Sequence, residues 1–297
     1  MRLVEEKSRA KINLILDVLG KRDDGYHELE MVMQSLGLSD SVFLEKIEQE
    51  GILLETQGPA VPQGPENLAY RAAQLMQKAY GLSGGVRIRI QKEIPVAAGL
   101  AGGSGNAAAV LLGLRRLYDL CIPGKELLGL ALRMGSDGPY CLMGKTALAK
   151  GRGEELEVLP DCPHLYVVLV KPLFGVSTAE VFRAYDQGTR GPKPSLRDAI
   201  LALWDGDGQA LGASLGNVLE ETTCAMHPVI RQIKAYLAQK TGAYGALMSG
   251  SGPTVFSLYE TKESAFAAAK QAKRLFQAQT FLTETVQQGE EGYGLPL

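Results

Sequence analysis

The stretch Pro95-Val-Ala-Ala-Gly99-Leu100-Ala101-Gly102-Gly103-Ser104-Gly105-Asn106 decides how the rest of the chain is read. Before it, Val86 to Ile94 (VRIRIQKEI) alternates apolar and charged residues with the period of a strand. After it, Asn106 to Leu120 is spaced for a helix. A glycine-rich loop, Pro95 to Gly105, between a strand and a helix has a physical use. The first helical turn carries N–H groups without intrahelical partners, and the macrodipole adds positive charge there. Glycine lets the backbone come close to a ligand. Together these features form a cradle for phosphate, and the Ser104 hydroxyl adds a donor. Taken alone, the loop is also compatible with a tight strand-to-helix turn, but four glycines between 99 and 105 are more than a turn needs. The loop lacks the Gly-Lys-Ser/Thr of a Walker A motif and the spacing of G-x-G-x-x-G.

Working outward, Arg9 to Leu19 and Leu29 to Leu38 read as strands around a charged loop, Gly20 to Tyr26. Ser41 to Glu48 and Gly51 to Thr56 read as a hairpin. Glu66 to Tyr80 is helical in spacing, as is Lys125 to Met134, which stops before Gly135-Ser136-Asp137-Gly138-Pro139. Two prolines between Leu156 and Pro163 mark an expected boundary, giving domains of 1–158 and 159–297. Beyond it, Leu165 to Val170 reads as a buried strand. Ser177 to Tyr185, Ser195 to Leu203 and Pro228 to Gln239 read as helices. Gly245 to Met248 and Thr254 to Tyr259 are strands around a Gly-Ser-Gly-Pro turn, followed by a helix, Lys262 to Gln277, and a strand, Thr280 to Val286. The class is α+β.

The bulk properties narrow the function. The 297 residues carry a net charge of −2, with 45% hydrophobic and 22% charged residues. No basic run exceeds Arg115-Arg116, which argues against nucleic acid as a partner. No apolar run approaches about 18 residues, so no membrane span is expected. The N-terminus shows no apolar signal core. The four cysteines form no C-x-x-C pair and read as reduced packing residues, consistent with a cytoplasmic protein.

The loop resembles the central signature of the GHMP kinase superfamily. Ala10-Lys11-Ile12-Asn13-Leu14 with Gly25-Tyr26-His27 resembles, more narrowly, the branch that acts on a cytidine diphosphate-linked methylerythritol. Gly135-Ser-Asp137-Gly-Pro139, Gly151-Arg-Gly153-Glu154, Gly216-Asn-Val-Leu-Glu220 and Gly250-Ser-Gly252-Pro253-Thr254 agree, in order, from about residue 8 to about residue 259. Two positions depart from the pattern. Gly105 stands where the family usually has a second serine, and Gly138 where it has Val or Ile, a loss expected to loosen the strand that aims Asp137.

The resemblance implies a two-domain fold: an N-terminal ribosomal-protein-like domain with a left-handed βαβ unit, and a ferredoxin-like C-terminal domain. It implies transfer of the γ-phosphate of ATP, carried with Mg2+, to the 2-hydroxyl of the cytidine substrate in isoprenoid precursor synthesis. Asp137 matches the catalytic base and Lys11 the lysine that polarises the hydroxyl. ATP is expected on Pro95, Gly99, Leu100, Ala101, Gly102, Gly103, Ser104, Gly105 and Asn106, with backbone donors from the glycines and Ser104. The substrate is expected to meet Asn13, Tyr26, His27, Asp137, Thr178 and Phe182, with no protein-only metal cage. Without the resemblance, Asp137 reads as a turn residue, Lys11 as a solvated strand-end lysine and Phe182 as a core aromatic. Three alternatives stay open: a mevalonate- or homoserine-type GHMP kinase, an inactive nucleotide-binding sensor, and an RNA-binding module. The chain is expected to be a monomer or weak homodimer.

Overall fold

The computed structural model describes residues 2–188 and 190–287, so the end of the second expected domain, 288–297, lies outside the described residues. Two sheets organise the fold. The larger has seven strands and is built on two long ones, β1 (Leu3–Lys21) and β2 (His27–Ile47), paired antiparallel along their length. The other edge of β2 is shared. Its C-terminal half takes β4 (Gly85–Gln91), and its N-terminal half takes β5 (Thr146–Gly151), which in turn pairs with β6 (Glu155–Val158).

The expected hairpin is not formed. β3 (Ile52–Gln57) lies outside β4 and parallel to it, with helix α1 (Leu68–Tyr80) connecting the two. β4 takes the place beside β2 because its apolar positions Val86, Ile88 and Ile90 join Val42, Leu44 and the alanine face of α1 in one core. That burial outweighs the short-range pairing that adjacency suggests.

Helix α2 (Gly102–Leu117) begins earlier than expected, so Gly102 to Gly105 form its first turn rather than a loop. Helix α3 (Gly124–Leu132) follows, then the short α4 (Gly138–Met143). Asp137 is therefore the residue before a helix, not part of a strand. Gly138 leaves no void: a Cβ there would come within 2.2 Å of the Ala131 carbonyl oxygen, so its smallness lets α4 abut α3.

The second sheet is antiparallel, ordered β11 (Ala278–Glu284), β7 (Tyr166–Pro172), β10 (Val255–Tyr259), β9 (Ala243–Met248). Numbered by sequence this is 4-1-3-2, the ferredoxin-like order. Helices α9 (Val229–Ala238) and α10 (Lys262–Leu275) pack on it. Between β7 and α9 run α5 (Thr178–Gln187), α6 (Leu196–Asp205), α7 (Gly208–Ser214), the two-residue β8 (Gly216–Asn217) and α8 (Glu220–Met226).

The halves share cores. Ala10, Ile12, Leu14 and Ile15 of β1 cluster with Leu169 of β7 and Phe256 of β10, while Leu16 and Met31 cluster with Val168 and Val218. β8 adds a parallel strand to β1 at Ile15 and Leu16. All four cysteines are free. Among the described residues no helix is long and apolar enough to cross a membrane.

Candidate active site

β1 delivers Lys11 and Asn13 to one face of the sheet because they are two residues apart on a strand. Register shifts against β2 lie on both sides of the pair, between Arg9 and Lys11 and between Asn13 and Ile15. Irregularities of this kind re-aim side chains. Lys11 is buried, and its ammonium donates to Asn13 Oδ1 at 2.7 Å. The Lys11 backbone N–H donates to the Leu100 carbonyl, which ties β1 to the glycine-rich segment.

That segment is strongly turned. Ala97, Gly99 and Ala101 all have positive φ, and Ala101 precedes α2 without any side-chain cap. The N–H groups of Gly102, Gly103 and Ser104 therefore remain available at the helix N-terminus. Gly105 differs: its N–H donates to the Ala101 carbonyl at 2.8 Å, so it is not a phosphate donor. A Cβ on Gly105 would also lie 2.5 Å from Ser8 Oγ, which explains the missing serine side chain there.

Asn106 is also committed elsewhere. It is buried, donates to Asp40 Oδ2 at 3.0 Å, and accepts from Lys92 Nζ at 3.4 Å. Asp40 is fully buried and takes Lys92 Nζ at 2.5 Å and the N–H groups of Glu93 and Ile94 at 2.7 and 2.8 Å. This network clamps the start of the loop to the first turns of α2 from below.

From above, the Gly250-Ser251-Gly252-Pro253 turn closes on the loop. Asn217 donates to the carbonyls of Met248 and Gly250, both at 2.8 Å. Glu220 accepts the Met248 N–H at 2.9 Å and pairs with Lys234. Ser251 Oγ is 2.9 Å from Thr178 Oγ1 at the start of α5.

A cavity of about 640 Å³ lies between these parts. At one end it is lined by Lys11, Asn13, Gly99, Ala101, Ser104 and Asp137. At the other it is lined by Tyr26, His27, Arg152, Thr178 and Phe182. Of the expected phosphate residues, Pro95, Leu100, Gly102, Gly103, Gly105 and Asn106 do not line it. Lys11 and Asp137 are farther apart than an ion pair, but they act in opposite senses on the half-buried Cys141 thiol. That thiol is pushed far up, first by burial, then by Asp137, with Lys11 opposing. The Asp137 carboxylate makes no hydrogen bond or ion pair among the described residues.

The chain has three independent likenesses to known proteins. Residues 67–145 match the family model described as GHMP kinases N terminal domain, and residues 196–278 match GHMP kinases C terminal. The 4-diphosphocytidyl-2-C-methyl-D-erythritol kinase of Pelotomaculum thermopropionicum is 51% identical over 267 residues, covering 90% of this chain and 93% of that protein. The chain belongs to the 4-diphosphocytidyl-2-C-methyl-D-erythritol kinase family. A crystal structure of 4-(cytidine 5'-diphospho)-2C-methyl-D-erythritol kinase superposes with a TM-score of 0.79 at 35% identity, over 95% of this chain and 99% of that one. Homoserine kinase from Cytophaga hutchinsonii, at 18% identity and a TM-score of 0.73 over 96% of each chain, shares the fold.

The cavity's far end holds residues the sequence did not single out. His27 Nε2 is 2.7 Å from Asp186 Oδ1, whose other oxygen takes Lys21 Nζ at 2.6 Å. Lys21 first, and then His27, hold the Asp186 carboxyl below the usual carboxylate range. His27 stacks on Phe182 with centroids 4.7 Å apart. Phe182 thus packs against the core and also lines the cavity. Tyr26 is half-exposed at the tip of the β1–β2 turn, with Arg152 over its ring at 4.0 Å. Asp186 had a legible signal: it is one turn beyond Phe182 on α5, so i and i+4 share a face. Lys21 had none.

Proposed function

We infer that this chain transfers the γ-phosphate of ATP to the 2-hydroxyl of 4-diphosphocytidyl-2-C-methyl-D-erythritol, in the non-mevalonate route to isoprenoid precursors. One observation carries the reading. Lys11, Asp137 and the uncapped start of α2 meet at one end of a cavity whose other end is walled by Tyr26, His27 and Phe182. A substrate with a base at one end and a hydroxyl at the other fits that layout.

The residues divide the work. The first-turn N–H groups of α2 bind phosphate oxygens, whose charge the helix dipole favours. Asp137 accepts the proton of the 2-hydroxyl as its oxygen bonds to the γ-phosphorus and ADP departs. Lys11, held by Asn13, stands where it can stabilise the alkoxide. Tyr26 offers an aromatic face to the cytosine, and His27 a ring nitrogen to its edge. Among the described residues no group of three or more His, Cys, Asp or Glu is placed to hold a metal. Mg2+ would come with the ATP phosphates and neutralise their charge, and the Ser104 hydroxyl would suit such a hard cation.

A coupled ADP-release assay with Mg-ATP tests this. Turnover is expected with the cytidine substrate and not with mevalonate or homoserine. Turnover with either control instead would keep the kinase and move the substrate. No turnover with any of them would favour a nucleotide-binding sensor.

A further inference from the structure

The cavity holds four cations: Lys11, Lys21, Arg152 and Arg183. Lys21 is neutralised by Asp186, and Lys11 is engaged by Asn13 beside the reacting end. Arg183 donates its Nε–H to the Ala179 carbonyl of its own helix at 3.3 Å. Arg152 is different. Its side chain makes no ion pair or hydrogen bond among the described residues, and its Nε is buried without a partner. Its guanidinium lies over the Tyr26 ring, and the half-exposed Asp24 carboxylate feels its charge without pairing with it.

The position of Arg152 is set by its backbone. It follows β5 between Gly151 and Gly153, both at positive φ, in a turn closed by Gly153 N–H to Lys150 carbonyl at 3.0 Å. The Arg152 N–H is also held by Glu154 Oε2 at 2.6 Å. A Cβ on Gly153 would lie 3.4 Å from the Ser136 carbonyl oxygen, so the turn rests beside the residue before Asp137. Arg152 therefore spans from the neighbourhood of Asp137 to Tyr26.

We propose that Arg152 recognises the diphosphate that links the base to the reacting alcohol of the substrate. This rests on the cytidine reading of the cavity. In that substrate the diphosphate lies between the cytosine and the hydroxyl, as Arg152 lies between Tyr26 and Asp137. A guanidinium presents a planar fork that meets phosphate oxygens in pairs, where an ammonium offers a point charge. Its buried Nε–H would gain the acceptor it lacks. The same contact sets specificity, because an alcohol without a diphosphate leaves the guanidinium unsatisfied.

Binding of cytidine, cytidine monophosphate and cytidine diphosphate is measured by calorimetry, with the nucleotide triphosphate site filled by a non-hydrolysable ATP analogue. The protein is compared with its Arg152→Met and Arg152→Lys variants. The wild-type protein is expected to bind the diphosphate more tightly than cytidine. Arg152→Met should weaken the diphosphate by about 10- to 100-fold and leave cytidine within about twofold. Arg152→Lys should fall between. Unchanged diphosphate binding in Arg152→Met would overturn the assignment. So would an equal loss for cytidine, which would make Arg152 a prop for Tyr26. A wild-type protein that binds neither ligand would overturn the cytidine reading itself, and this inference with it.

Discussion

Ser249 donates its hydroxyl to the Gly99 carbonyl at 3.1 Å, and a Cβ on Gly99 would approach the Ser249 carbonyl oxygen to 2.5 Å. The two halves of the chain thus meet backbone to backbone at the phosphate-binding segment. Gly99 also has φ of +73°, where a side chain is strained. Gly99→Ala must therefore either push the 249–253 turn away or distort the loop. The expected loss is about 2–4 kcal/mol of stability, from strain and clash together, with a fall in kcat. Urea unfolding and the ADP-release assay check it. A variant with wild-type stability and rate would show that the two loops do not constrain each other.

Asp40, Lys92 and Asn106 make the corresponding clamp from below. Replacing one member of a buried ion pair strands the other charge, at a cost of about 3–5 kcal/mol. Asp40→Asn should destabilise by that order and raise KM for ATP, because the loop start and α2 lose their common anchor. The Asp40→Asn, Lys92→Met double variant should recover part of the stability while KM stays high. If the double variant is no more stable than Asp40→Asn, the stranded lysine is not the source of the cost.

These contacts also show where the sequence was readable. Strand alternation, helical spacing and the glycine cluster located most elements, and residues from several of the ordered motifs line one cavity. The misreadings have physical causes. The start of β1 was hidden because its inward positions include Glu6 and Ser8, so its buried face does not look apolar. β2 read as two strands because Gly37 and the buried Asp40 interrupt its pattern, although it runs unbroken from His27 to Ile47. The hairpin reading failed because pairing between β2 and β4 is decided by a core assembled from distant segments. Pro139, at the start of α4, was a usable helix signal beside Asp137. The Asp186–His27–Lys21 cluster joins two distant parts of the chain, and apart from the helical spacing of Asp186 from Phe182 no local pattern announces it.

The free carboxylate of Asp137 leads to a kinetic prediction. Asp137→Asn keeps the shape and loses the proton acceptor. Turnover should fall by at least about 10² with modest change in substrate KM, as for an interaction made only in the transition state. Steady-state ADP release checks both parameters. Near-wild-type turnover would move the chemistry to positioning and charge neutralisation by Lys11 and the helix N-terminus.

Glu6 gives stability a pH dependence. It is buried on β1, with Arg116 at 3.1 Å. Burial raises its carboxyl from the ordinary 4.5 to about 7, and Arg116 offsets only part of that. The folded protein therefore binds the proton more tightly than the unfolded chain does. Stability tied to this group is fully present below pH 4.5 and is lost as pH rises toward 7. Glu6→Gln removes the ionisable group while keeping its shape. It should be more stable than the wild type at pH 8, by on the order of 1–2 kcal/mol after allowing for solvent screening. The advantage should shrink as pH falls to about 5, where the wild-type carboxyl is protonated in the fold. Urea unfolding of both proteins at several pH values reads the difference directly. A gap that stays constant with pH would mean that Arg116 keeps Glu6 ionised throughout, and that the cost of burial is borne by the pair.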